Sequence, residues 1–151
     1  MSLLFLYCHL KGNVLRLSFD KLTAVLYKEY MKIIRQNEVP KENLSSKPIF
    51  FGGEVMGQPL VDAKISKNYN FTLISFAAGA RNKFHAHTSD QILYVTKGTG
   101  IVATEKEEAQ VNEGDVILIP AGEKHWHGAT TEAKFAHISL LTLDSKTQIF
   151  D

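Results

Sequence analysis

The amino-acid sequence predicts an all-β protein, an antiparallel sandwich or closed barrel with a short extension ahead of it. Beyond Pro48 the chain breaks into stretches at 69–77, 91–96, 100–105, 115–119 and 134–143, each rich in β-branched and aromatic residues. Such residues suit a pleated, half-buried surface. Glycine and proline punctuate these stretches, and no long helical pattern intervenes, which favours a sandwich or barrel over a mixed fold. With 151 residues, the chain has the length of one domain. A domain of that size hides roughly 70% of the surface its unfolded chain exposes.

The first 47 residues differ from the rest. They carry eight Lys/Arg against four Asp/Glu, whereas the remainder carries nine against twelve. Phe19, Leu22, Val25, Leu26 and Ile33 recur at helical spacing. Ser18 is placed to cap such a helix, with Asp20 in its first turn. A helix over residues 18–34 is therefore the expectation, followed by a polar linker at 37–48 with two prolines and two serines. The expected organisation is an extension and linker over 1–47 and the β domain over 48–151. Within the β domain, Gly98, Thr99 and Gly100 read as a tight turn between two strands, and residues 105–108 as a solvated hairpin tip.

Charge and composition narrow the function classes. A net charge of +1 gives no reason to expect nucleic acid or an anionic membrane as a partner. The apolar start, Leu3 to Leu6, is broken by Cys8, His9 and Lys11, far short of the ~20 residues a bilayer span needs. Nothing basic precedes it, as a secretory leader would require. Cys8 is the only cysteine, so neither an intrachain disulfide nor a thiolate metal site can form. A cytoplasmic location fits that usage.

The histidines carry the chemical signal. Of six in the chain, five lie between residues 85 and 137: His85, His87, His125, His127 and His137. In a strand, residues i and i+2 face the same way. His85 therefore points with His87, and His125 with His127. Imidazole is the commonest ligand for Zn, Mn, Fe, Ni and Cu, and two His-x-His pairs in one barrel suggest a metal site.

The spacing around these residues resembles a known family. Gly79, five residues, His85, one residue, His87, three residues, Gln91, six residues, Gly98 is similar to the first motif of the cupins. Gly114, five residues, Pro120, one residue, Gly122, two residues, His125 is similar to the second. The resemblance covers residues 79–125 directly and implies a cupin fold, a jelly-roll-like antiparallel β-barrel, with one divalent metal ion on His85, His87, Gln91 and His125. Two positions depart from the pattern: Gln91 stands where Glu is usual, and Ala129 where Asn is usual. A carboxamide binds through its oxygen without charge. The ion then keeps its full double charge as a Lewis acid, and no carboxylate base is present at that position.

The stretch Lys124-His125-Trp126-His127-Gly128-Ala129, the Gln ligand and a histidine on the following strand, here His137, resemble small cupins that act as R-selective hydroxynitrile lyases. This resemblance implies manganese as the metal, with iron, zinc and nickel as alternatives. It implies His127 and His137 as acid/base groups and a small oxygen-bearing molecule as substrate. The expected function is a metal-dependent lyase; a metal- and oxygen-dependent dioxygenase and a non-catalytic binding module are the alternatives. Cupins often associate through outer strand surfaces. Ile138 and Leu140, facing opposite His137, suit a homodimer or higher homo-oligomer. Trp126, between two inward histidines, is expected to face outward. Met31-Lys-Ile-Ile-Arg-Gln resembles the opening of small cupins of this type, so residues 1–30 are expected to be an upstream extension that contributes little to the barrel.

Overall fold

The structure is a computed structural model that describes residues 6–10, 13–17 and 31–150. The chain divides into two compact units, residues 1–33 and 34–151. In the first, β1 (Leu6–Leu10) pairs with β2 (Asn13–Leu17) as an antiparallel hairpin. The helix expected over 18–34 falls mostly outside the described residues. Its described end, residues 31–34, carries no regular structure.

The second unit is a single curled antiparallel sheet of twelve strands. A short 3-10 turn (Gln36–Glu38) leads to β3 (Glu42–Asn43), β4 (Phe50–Phe51), β5 (Val55–Val61) and β6 (Tyr69–Phe76). Two short strands follow, β7 (Arg81–Asn82) and β8 (His85–His87), and then the long β9 (Gln91–Thr104). The chain ends through β10 (Glu108–Asn112), β11 (Val116–Ile119), β12 (His125–Ala129), β13 (Phe135–Thr142) and β14 (Thr147–Ile149). The main path of neighbours is β14-β8-β12-β9-β13-β6-β5-β3. No helix among the described residues is long and apolar enough to cross a membrane.

β9 is the spine of the barrel and differs from the expectation of two strands joined by a tight turn. It runs unbroken for 14 residues. Its first half pairs with β11 and β13, its second with β10 and β12. Gly98 marks the switch, with φ +78° and the backbone of Lys134 so near that a Cβ would meet its carbonyl oxygen at 2.0 Å. Only glycine allows that approach and that angle together, so the residue that reads as a turn instead bends one strand between two faces of the barrel.

The core follows from strand alternation. Val55, Ile74, Phe76, Leu93, Val95, Val102, Val111, Ile119 and Phe135 form one buried cluster. Each such side chain contributes roughly 1.5–3 kcal/mol on burial. Residues 36–47, read from the sequence as linker, are tied to this body. The Gln58 amide donates to the Gln36 and Val39 carbonyls, and Leu44 N–H donates to Val55 O at 2.8 Å. Lys134 is exposed and His137 fully buried, as alternation predicts.

Candidate metal centre

Local pairing brings the motif histidines together. His85 and His87 share one face of β8, and His125 is the cross-strand partner of His85. The loop before β12 is stapled to the loop after β8. Gly122 N–H donates to His87 O at 2.8 Å, and Ala121 N–H to Asp90 Oδ1 at 2.9 Å. With Gly122 at φ +81°, these contacts aim His125 inward. Three ligand nitrogens, one each from His85, His87 and His125, then lie within 4.8 Å of one another. One ion bridges that spacing when each nitrogen stands about 2.0–2.1 Å from it, or slightly further for a metal larger than zinc.

The hydrogen bonds fix the form of two of the three rings. His85 Nδ1 lies 2.9 Å from Lys83 O, and His125 Nδ1 lies 2.8 Å from Glu123 O. A carbonyl only accepts, so both Nδ1 atoms carry hydrogen and both Nε2 atoms present a lone pair. His87 Nδ1 lies 3.0 Å from Thr147 Oγ1, which leaves its Nε2 buried without any partner among the described residues. Metal-ligating histidines are oriented in this way, with the outer nitrogen hydrogen-bonded and the inner one bare.

Gln91 completes the cluster. Its Oε1 stands 3.0 Å from His125 Nε2, while its Nε2 donates to Ser139 Oγ at 2.8 Å. With His125 protonated at Nδ1, the short contact sets two lone pairs against each other. A cation between them turns that repulsion into attraction. The donor set therefore fits a divalent metal.

Burial keeps the rings neutral. It pushes the His85 imidazole down to about 3, with His125 and His87 adding to the effect and the Lys83 carbonyl opposing it. Burial and then His125 push His87 down to about 4. Burial also lowers His125, against the Glu123 carbonyl and carboxylate.

His127 and His137 sit beside this cluster and are hydrogen-bonded to each other, His127 Nδ1 to His137 Nε2 at 3.0 Å. His127 lies well below its ordinary value through burial and then the nearby His137, and burial lowers His137 to about 4. Both line a cavity of about 180 Å³ together with His85, His87 and Gln91.

Sequence reasoning missed several residues of this cavity. Asn82 is buried and spends both amide arms on His127. Its Oδ1 accepts the backbone N–H at 2.7 Å, and its Nδ2 stands 3.1 Å from Nε2. Asn82 ends a two-residue strand, between Arg81 and Lys83, so no local pattern marked it. Ser139 lies two residues past His137 on the same face, so alternation alone could have found it. Phe50 packs against the core, lines the cavity and meets Phe76 edge-on at 6.0 Å. Trp126 faces away from the histidines as expected but is covered, with the Arg81 guanidinium 4.4 Å above its ring.

A curled antiparallel barrel that brings three imidazoles to one point carries a donor set that could hold a metal ion. A family model for the cupin domain matches residues 72–140. The (R)-mandelonitrile lyase of Granulicella tundricola is 34% identical over 92 residues, 60% of this chain and 70% of that protein. This chain belongs to the cupin family. An acireductone dioxygenase of Leptospira biflexa is 39% identical over 49 residues, 30% of this chain and 28% of that protein. Among solved structures, a cupin-like protein of Thermotoga maritima superposes with a TM-score of 0.66 at 28% identity, covering 80% of this chain and 89% of that one.

Proposed function

We propose that this cupin is a metal-dependent lyase that cleaves small 2-hydroxynitriles, with His85, His87, Gln91 and His125 holding the ion and His127 and His137 moving the proton. Manganese is the proposed metal. The observation that carries the reading is the chemistry of the cavity lining. It offers imidazoles, carboxamides and hydroxyls, and no carboxylate among the described residues. A base there must be an imidazole; burial lowers each ring, which keeps it unprotonated with a lone pair open, at the cost of basicity. The similarity to a mandelonitrile lyase supports the same reading.

When bound, the ion supplies Lewis-acid stabilisation of negative charge on the substrate oxygen. The chain's own residues do the rest. His127 is the acceptor ring, 5.4 Å from His85 and 5.8 Å from His125 between centroids. Its Nδ1–H stays donated to His137, so Nε2 takes the hydroxyl proton. Asn82 donates to that nitrogen at rest and gives way to the hydroxyl. The O–H electron pair becomes the second bond of the carbonyl, and the carbon–carbon pair leaves with cyanide. Cyanide then takes the proton back from His127 as hydrogen cyanide. Ile49, Phe50, Ile74 and Leu141 form an apolar wall for the substrate's side group. The cavity volume, about 180 Å³, is well under the roughly 300 Å³ at which drug-sized pockets begin, which limits the substrate to a small molecule.

The test is to load the protein with Mn(II) and follow benzaldehyde release from mandelonitrile. Metal-dependent release above the spontaneous rate is expected. No release with any of manganese, iron, zinc or nickel removes the lyase reading. Oxygen uptake with an enediol in that case would favour the dioxygenase alternative, which a carboxamide at Gln91 argues against.

The protein is also proposed to self-associate through the outer face of the sheet. Tyr94 pairs with Val116 and Ile138, and Ile92 with Leu118 and Leu140, giving two apolar rows across three strands. Val116, Leu118, Tyr94 and Ile92 are exposed, and a contiguous apolar patch of this kind marks an interaction surface. Light scattering that finds only monomer at micromolar concentration would rule this out.

A further inference from the structure

We propose that Ser139 is a positioning residue that makes the Gln91 carboxamide usable as a metal ligand, a role that rests on the reading of Gln91 as the fourth donor. An amide has two unlike ends, and only the oxygen can bind a cation. Gln91 is nearly fully buried at 3% exposure, so the end turned away from the imidazoles has little access to water and depends on a protein partner. That end is the NH₂ group, and Ser139 Oγ accepts from it at 2.8 Å. The other end places Oε1 3.0 Å from His125 Nε2.

The value of Ser139 lies in the difference between two states. Without metal, the amide has a second good arrangement. Turned end for end, its N–H would donate to the bare Nε2 of His125, which the Glu123 carbonyl holds in the required tautomer. With metal, that arrangement is closed, because the oxygen must face the ion. The NH₂ group then needs an acceptor on the far side, and Ser139 is the hydroxyl placed there. Removing it leaves a buried N–H donor unpaired in the metal-bound state, whereas the metal-free state, by turning the amide, leaves only a carbonyl oxygen short of a partner, which costs less than an orphaned donor. Affinity falls for that reason, as it does when partners behind a ligand are removed. Ser139 reaches this position because it lies two residues beyond His137 on β13, facing the cavity, with Leu93 of β9 and Thr72 of β6 as its strand partners.

A carboxylate has no wrong end and no N–H to satisfy, which supplies the discriminating experiment. Mn(II) binding is measured by isothermal titration on the full chain carrying Ser139→Ala, Ser139→Thr, Gln91→Glu, the double change Ser139→Ala with Gln91→Glu, and Gln91→Leu. Ser139→Ala is expected to weaken Mn(II) binding by roughly 10–100-fold. Ser139→Thr, which keeps the hydroxyl, should restore most of it. In the Gln91→Glu background the Ser139→Ala change should cost less than about threefold, because the serine O–H donates to the carboxylate with and without metal and cancels. Equal losses in both backgrounds, or no loss in either, overturn the positioning role. Gln91→Leu is the separate control: undiminished affinity there means that Gln91 is not a ligand. Thermal midpoints of the metal-free proteins identify any variant that has lost its fold, and Ser139→Thr then decides the question alone.

Discussion

His127 Nδ1 stands 3.0 Å from His137 Nε2, both rings fully or almost fully buried, so the two imidazoles share one proton and act as a unit. His127→Ala and His137→Ala should each keep one metal per chain and cleave mandelonitrile roughly 10²–10⁴-fold more slowly. The double variant should be little worse than the slower single one, because groups that act as a unit are not additive. Steady-state rates on metal-loaded protein check this. Full activity in both single variants would remove their acid/base role.

Asn82 holds His127 by its backbone and its ring together. Asn82→Ala leaves the buried N–H of His127 unpaired and frees the ring, which should cost roughly 1–3 kcal/mol of stability. It should also lower the cleavage rate with little change in metal content. Chemical denaturation and metal analysis of the same preparation separate the two effects. Unchanged stability would show that the N–H finds another acceptor.

The metal-free protein should lose stability as pH falls. His85 and His87 titrate at about 3 and about 4 in the folded chain, against 6.5 for an ordinary histidine. Below that ordinary value the unfolded chain takes up protons that the folded chain refuses, so unfolding is favoured as pH drops. Stability is full above 6.5 and is lost progressively as pH falls, toward about 4 for His87 and about 3 for His85. The thermal midpoint should drop by roughly 5 °C or more between about pH 7 and about pH 5. A flat profile would mean that these imidazoles are not buried neutral.

Much of the site was legible in the sequence because its spacing is local. His85 and His87 face together by strand alternation, and the motif glycines Gly79, Gly98, Gly114 and Gly122 all take positive φ. Gly98 was misread as a turn because a glycine with φ +78° serves a bend within a strand as well as a turn between strands. Only the pairing of β9 with different partners on either side of it distinguishes the two. The cross-strand match of His125 with His85, the clamp of Asn82 on His127 and the contact of Ser139 with Gln91 join residues 40 to 48 positions apart. No local pattern encodes such contacts. The apolar spacing of 18–34 suggested a helix, of which only residues 31–34 are described, and these carry no regular structure.

Every residue of the proposed site lies in the unit that runs from Ile34 to Asp151, and that unit has its own core. A chain beginning at Met31 should therefore bind Mn(II) with unchanged stoichiometry and melt within a few degrees of the full chain. Calorimetry and metal analysis check both. A large loss of thermal stability would show that residues 1–30 are structural.

The metal centre itself is tested most directly by metal content. His87 presents a buried Nε2 that no described residue satisfies, as a nitrogen facing an ion would, and its loss is the sharpest test of the proposed ligand set. Protein purified after Mn(II) loading should carry close to one metal ion per chain by inductively coupled plasma mass spectrometry. His87→Ala, folded by circular dichroism, should carry less than about a tenth of that, since loss of a ligand removes both a donor and the geometry of the set. A folded His87→Ala variant that still holds close to one ion per chain would contradict the assignment.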